Sequence, residues 1–348
     1  MKKTILISST CLLILSIAFA AKRDLQQTTT KTKLSEYAFF EGKMEEMIPA
    51  EGVLPYDLNT PLFSDYAEKM RFVKMPENQT VGFNDSTVLD FPVGTTLIKT
   101  FFYFNDVREP EKGRKLLETR LLIHEVSGWE ALVYVWNEEQ TEADLEVAGA
   151  EREVAWKNEK GKKQKLNYLI PNLNQCKGCH NKAQKMTPIG PSISQLNGDF
   201  AYSERMENQL LHWQSLGILQ GLPENLADVP KTPIWDNAQS GDLNSRARAY
   251  LDINCAHCHS EQGPARTSGL YLSYYEQDAT ALGINKSPVA AGRGSGDRQF
   301  TIVGGKPDES IMIFRMESED AGIRMPEISR QLVHKEGVDL IRQWIEAL

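Results

Sequence analysis

The chain has 348 residues, 41% hydrophobic and 25% charged, which is ordinary for a soluble globular protein and enough to bury a real core. Its length points to two or three domains. A formal charge of −8, more acidic still without Lys2 and Lys3, excludes a general nucleic-acid binder.

Met1 to Ala21 reads as a secretory signal: two lysines, an apolar run, then Ala18-Phe19-Ala20 as a cleavage site. The mature chain would start at Ala21 and carry no transmembrane segment; an uncleaved anchor is the runner-up, because the run nears the spanning minimum. Cys11 lies inside this run. The polar stretch 22–33 reads as a tether. From residue 34 to 169 strand signals dominate: Thr96–Phe104, Leu116–His124 and Trp129–Trp136 are β-branched and aromatic, with Val154–Trp156 and Lys165–Leu169 as further strands. The spacing predicts an antiparallel β-sandwich, with helix only near Leu34–Met47 and Ser64–Met70. His124 reads as an ordinary strand-end histidine.

Residues 170–241 hold Cys176, Cys179 and His180 as C-x-x-C-H, and Pro171 and Asn172 argue for a turn leading into it. Ser203–Leu219 reads as an amphipathic helix. Residues 242–348 repeat the motif with Cys255, Cys258 and His259. Asp242 or Asn244 would cap a helix running to about Ile253, and Arg246 and Arg248 would lie near haem propionates or solvent. A helix over Ser310–Met316, then Met325-Pro326, then a helix over Val333–Leu348 complete the segment.

C-x-x-C-H is the attachment signature of c-type haem: two thiols reach the vinyl groups and the histidine is carried under the ring to ligate iron. A redox dithiol leaves both histidines as coincidence, and zinc pairs usually lie about 15–20 residues apart, far closer than these two. The motifs use every cysteine after Cys11, so none is left for a structural disulfide. The expected cofactors are two covalently attached haem c groups. His180 and His259 would be the proximal ligands, and Met325, a soft thioether, would be the distal ligand of the second iron. Met312 and Met316 read as core. The distal ligand of the first iron stays open between Met186, Met206 and His212. Helix, motif, loop, helix, methionine, helix is the order of a class I cytochrome c. The fold expected from the residues is α+β and multidomain: an N-terminal antiparallel β-sandwich followed by mainly α cytochrome c-like haem modules.

The mature chain resembles a family of bacterial dihaem c-type cytochromes with a β-rich N-terminal domain and two haem segments. The resemblance rests on Phe91–Phe101 (FPVGTTLIKTF), Leu169–His180 (LIPNLNQCKGCH), Met186–Pro191 (MTPIGP) and Arg246–His259 (RARAYLDINCAHCH). It implies single-electron transfer in the periplasm between redox protein partners, alongside a parallel β-helix protein. Two other readings stay open: a dihaem peroxidase-like enzyme with one open iron, and the electron-accepting subunit of a periplasmic dehydrogenase.

Overall fold

A computed structural model describes residues 30–85, 87–202, 205–328 and 330–348. The signal segment, its cleavage site, Cys11 and most of the tether lie outside the described residues. Among the described residues no helix is long and apolar enough to cross a membrane.

The N-terminal half is built on one six-stranded antiparallel sheet: β1 (Val53–Tyr56), β2 (Glu68–Lys74), β3 (Thr96–Phe104), β4 (Arg114–Glu125), β5 (Gly128–Trp136) and β6 (Ala143–Leu145). Each strand pairs with the next in the chain, a meander. The expected strands at Thr96, Leu116 and Trp129 fall on β3, β4 and β5. Helix expected over Ser64–Met70 is not formed: Glu68–Lys74 is strand β2, and Leu34–Met47 holds two 3-10 turns with the short strand Phe40–Glu41 between them.

The sheet's two faces are covered differently. Phe72, Ile98, Leu121 and Tyr134 bury one face under Leu34, Tyr37 and Phe39 of the N-terminal segment. The opposite face receives two other partners. Toward one end, Phe101, Leu117 and Val133 pack under the hairpin β7 (Ala150–Lys157) and β8 (Lys163–Ile170) through Trp156 and Tyr168. Toward the other, Tyr56, Val73 and Leu97 share a core with Ile193, Leu196, Leu210 and Trp213 from beyond the Cys176 motif. A β-sandwich is therefore not the architecture: a single sheet is capped by a hairpin and by chain from the second half.

The second half is not mainly α. The described residues hold six α-helices: α1 (Leu173–Cys179), α2 (Ile193–Leu196), α3 (Gln209–Ser215), α4 (Leu243–Leu251), α5 (Ile311–Glu317) and α6 (Lys335–Glu346). The longest has only twelve residues, and long turn-rich stretches separate them. Glycine, proline and asparagine punctuate these stretches and no apolar period runs through them, so helices do not propagate. The helix expected over Ser203–Leu219 is a correction in kind. Asp199–Tyr202 and Arg205–Asn208 pair as a hairpin, and helix begins only where the Asn208 side chain caps the amide of Leu210. What survives of the cytochrome-like order is α4, α5 and α6, which enclose a core of Leu251, Ile313, Ile341 and Trp344.

Candidate functional site

Both C-x-x-C-H motifs sit on a single turn at the end of a capped helix. At the earlier motif Pro171 and Asn172 start a helix where a turn is expected from sequence. The Asn172 side chain accepts from the Gln175 amide at 3.0 Å, and the Gln175 side chain accepts from the Asn172 amide at 2.9 Å. This reciprocal capping box launches α1 straight into Cys176. At the later motif the Asp242 carboxylate caps the Ser245 amide at 2.7 Å, and α4 runs on through a wider turn of π type to Ala256. In each motif the histidine amide donates to the carbonyl of the first cysteine four residues back, at 2.9 Å for His180 and 2.8 Å for His259. One helical turn thus brings both thiols, at i and i+3, to one side.

The histidines are fixed in one tautomer. A carbonyl can only accept, so Nδ1–H of His180 donates to the Thr187 carbonyl at 2.9 Å, while the Thr187 amide donates back to the His180 carbonyl. His259 Nδ1 lies 3.3 Å from Ser268 Oγ, whose own hydrogen goes to the Ala265 carbonyl. In both rings Nε2 is left as the lone-pair nitrogen, the form a metal ligand needs. Burial pushes both imidazoles down to about 4, so they are neutral at neutral pH. The backbone against His180 is that of Thr187. Gly190 serves the same loop: at φ 113° its missing Cβ would meet Leu58 Cδ1 at 2.6 Å.

The thiols argue against a nucleophilic dithiol. Cys176 is buried and the other three are half-buried. Burial pushes Cys255 up to about 12 and Cys258 up to about 11, and raises Cys176. A redox-active pair needs the opposite, a thiolate made easy. Among the described residues no group of three or more His, Cys, Asp or Glu side chains could hold a metal ion, so the cysteines do not assemble a structural zinc site. A haem iron asks the chain only for axial ligands.

The two motifs open on adjoining cavities. That of the Cys255 motif holds about 420 Å³ and is lined by Cys255, Cys258, His259, Leu251, Leu272, Met312, Met316 and Met325. This volume lies within the roughly 300–1,000 Å³ of cofactor pockets. Paired thiols, an imidazole with free Nε2, a thioether and an apolar lining fit a porphyrin. The cavity of the Cys176 motif holds about 100 Å³ and is lined by Cys176, Cys179, His180, Arg71, Lys99 and Arg120 among others. Its donor set fits the same group. Its volume is below that range, and the long cationic side chains in its wall must take other rotamers to admit a porphyrin. Phe63, Cys179, Asn254, His257, Pro326 and Arg330 line both cavities.

The structure sorts the other expected site residues. Met325 lines the Cys255 cavity together with Met312 and Met316. None of Met186, Met206 and His212 lines the Cys176 cavity. Met186 is held in a two-residue strand pair with Asn181, and Met206 is 67% exposed. His212 stacks on Tyr202 at 3.6 Å between ring centroids and bonds Glu207 at 2.9 Å. His124 bonds the Phe91 carbonyl at 2.7 Å and stacks on Trp129, a structural histidine. Arg246 donates through one guanidinium nitrogen to the carbonyl of Trp235, and Arg248 through one to those of Ser273, Tyr274 and Glu276, while the Nε of each is buried without a partner.

Sequence reasoning missed two histidines. His334 lines the Cys255 cavity, bonded to the Tyr250 hydroxyl at 2.9 Å and stacked on Phe63 at 4.1 Å. His257 sits inside the second motif yet lines both cavities, its imidazole buried against the backbone of Ile253. The sequence signal was present as a second imidazole within CAHCH, but only the fold turns it toward the other motif. Comparison with protein-family models, curated proteins and solved structures finds no match.

Proposed function

We propose that the chain is a dihaem c-type cytochrome that relays single electrons between redox protein partners in the periplasm. Cys176 and Cys179 would hold one haem and Cys255 and Cys258 the other, with His180 and His259 as proximal ligands and Met325 distal at the second site. When bound, such a group supplies reversible one-electron exchange at iron. The residues do the rest: the fixed histidine tautomers present Nε2, the apolar lining excludes water, and the capped turns orient the thiols. The observation that carries this reading is the adjoining of the two cavities. His257 acts electrostatically on His180, and Cys179 on Cys258. Cofactors bound so near one another suit a relay.

A second reading, a dihaem peroxidase-like enzyme, is favoured by one feature. None of the three expected distal ligands lines the Cys176 cavity, whereas a buried imidazole, His257, and arginines do. In the relay reading His257 would be a further ligand of that iron; in the peroxidase reading it would supply acid–base chemistry there. Optical and EPR spectra of the ferric and half-reduced protein separate the two. Low-spin iron at both sites in both states supports the relay. A high-spin signal after half-reduction, with rapid peroxide consumption, overturns it.

A further inference from the structure

The β-sheet presents an arrangement that the packing of its own strands does not explain. In the ladder Arg71 of β2 lies directly opposite Lys99 of β3, and Lys99 directly opposite Arg120 of β4. Three cations stand side by side in one row, on the face that meets the Cys176 motif. Like charges placed directly opposite destabilise a sheet. Val133 of β5 ends the row beside Arg120; Val73, Leu97 and Leu122 flank it on one side, and Lys69, Phe101 and Glu118 on the other.

The neighbours compensate only part of this charge. Arg71 pairs with Asp57, and Arg120 pairs with the buried Glu118 through two bonds of 2.8 and 2.6 Å. Lys99 makes no ion pair among the described residues; its ammonium lies 5.0 Å from the centre of the Phe101 ring. Arg330 also lines the cavity, but its donors are taken by the carbonyls of Arg315, Met316, Ser318, Met325 and Leu332. The cavity beside Cys176, Cys179 and His180 is therefore lined by four cationic side chains and no carboxylate. In the bare chain, burial and the neighbouring Arg71 and Arg120 hold the Lys99 ammonium well below its ordinary value, and an anion in the cavity is what would keep it charged.

We propose that Lys99, set between Arg71 and Arg120, is the binding partner of the propionate carboxylates of a haem held at Cys176 and Cys179. This rests on the reading of that motif as a haem site, and it gives the sheet a role: to neutralise the acidic edge of the cofactor. Lys99 is a positioning residue that acts on the potential through charge. The charged and titratable groups around it are Arg71, Arg120, Lys69 and Glu118 on the sheet, and His180, His257 and Arg330 from the elements packed on it.

The test is a redox titration of the full exported protein that resolves both haems at several pH values, for wild type, Lys99→Met and Lys99→Arg. Lys99→Met should lower the potential of the Cys176-motif haem and make it pH-dependent around neutrality, because a propionate without its cation titrates there. Lys99→Arg should restore wild-type behaviour, and the other haem should not change. An unchanged potential and pH profile in Lys99→Met, with both haems attached by mass, overturns the Lys99 assignment and leaves the haem reading intact. A protein that never carries haem at Cys176 overturns the haem reading itself. Should Lys99→Met fail to fold, resonance Raman of the wild type decides: a propionate mode of that haem unmoved by deuteration overturns the contact, and a shifted one supports it.

Discussion

Glu118→Gln should be among the most destabilising single changes in the sheet. Glu118 is fully buried; it accepts two bonds from Arg120 and one from the Tyr168 hydroxyl at 2.8 Å. Removing its charge keeps the shape but leaves Arg120 uncompensated beside Lys99 and Arg71. Breaking a buried pair by deleting one partner costs about 3–5 kcal/mol. Because 22% of the Arg120 side chain reaches solvent, the lower end, about 3 kcal/mol, is expected. At a urea dependence of about 3 kcal/mol per molar this moves the midpoint down by about 1 M. The double change Glu118→Met with Arg120→Met should recover most of the loss, since replacing both partners by apolar groups is often neutral. The assay is urea unfolding of the haem-loaded chain followed by far-UV circular dichroism. A single-variant loss below about 0.5 kcal/mol, or a double variant no better than the single, would refute the reasoning that this carboxylate holds the cation row together.

Met325→Ala should leave the second haem attached but lower its potential, because a thioether ligand holds it high; an unchanged potential in a resolved redox titration would pass the role to Met312 or Met316. His257→Ala should convert the Cys176-motif iron from low-spin to high-spin in EPR while the other iron keeps its signal. A low-spin spectrum at both sites would remove His257 as a ligand. His334→Phe should flatten part of the acid limb of the stability curve. Burial holds the His334 imidazole down at about 4 against an unfolded value near 6.5. The unfolded chain therefore binds the extra proton first, and this contribution, present above about pH 6.5, is lost as pH falls toward 4. Its size is on the order of 3 kcal/mol, read from urea melts at a series of pH values; equal acid limbs in variant and wild type would contradict it.

The motifs and the central strands were legible because each is local. Alternating apolar runs from Thr96 to Trp136 report strands directly, and C-x-x-C-H reports its own helical turn. What misled was punctuation. Pro171-Asn172 looks like a break, yet Asn172 with Gln175 is a helix start. Residues 203–219 carry a helical apolar spacing, yet Arg205–Asn208 pairs with Asp199–Tyr202 as a hairpin before Asn208 starts α3. The single sheet could not be told from a sandwich, because alternation states that one face is buried and not what buries it. The non-local parts stayed hidden altogether. His257 facing the other motif's cavity and Lys99 between two arginines depend on strand register and on the docking of the second half, which no spacing along the chain encodes.

The most direct test of the account is the intact mass of the exported chain, taken with a haem-stained denaturing gel. The account predicts a haem signal that survives denaturation and a mass equal to the polypeptide plus two haems, falling to one haem when either Cys176 and Cys179 or Cys255 and Cys258 are replaced by alanine. A mass with no haem, or with only one in the wild type, would contradict it.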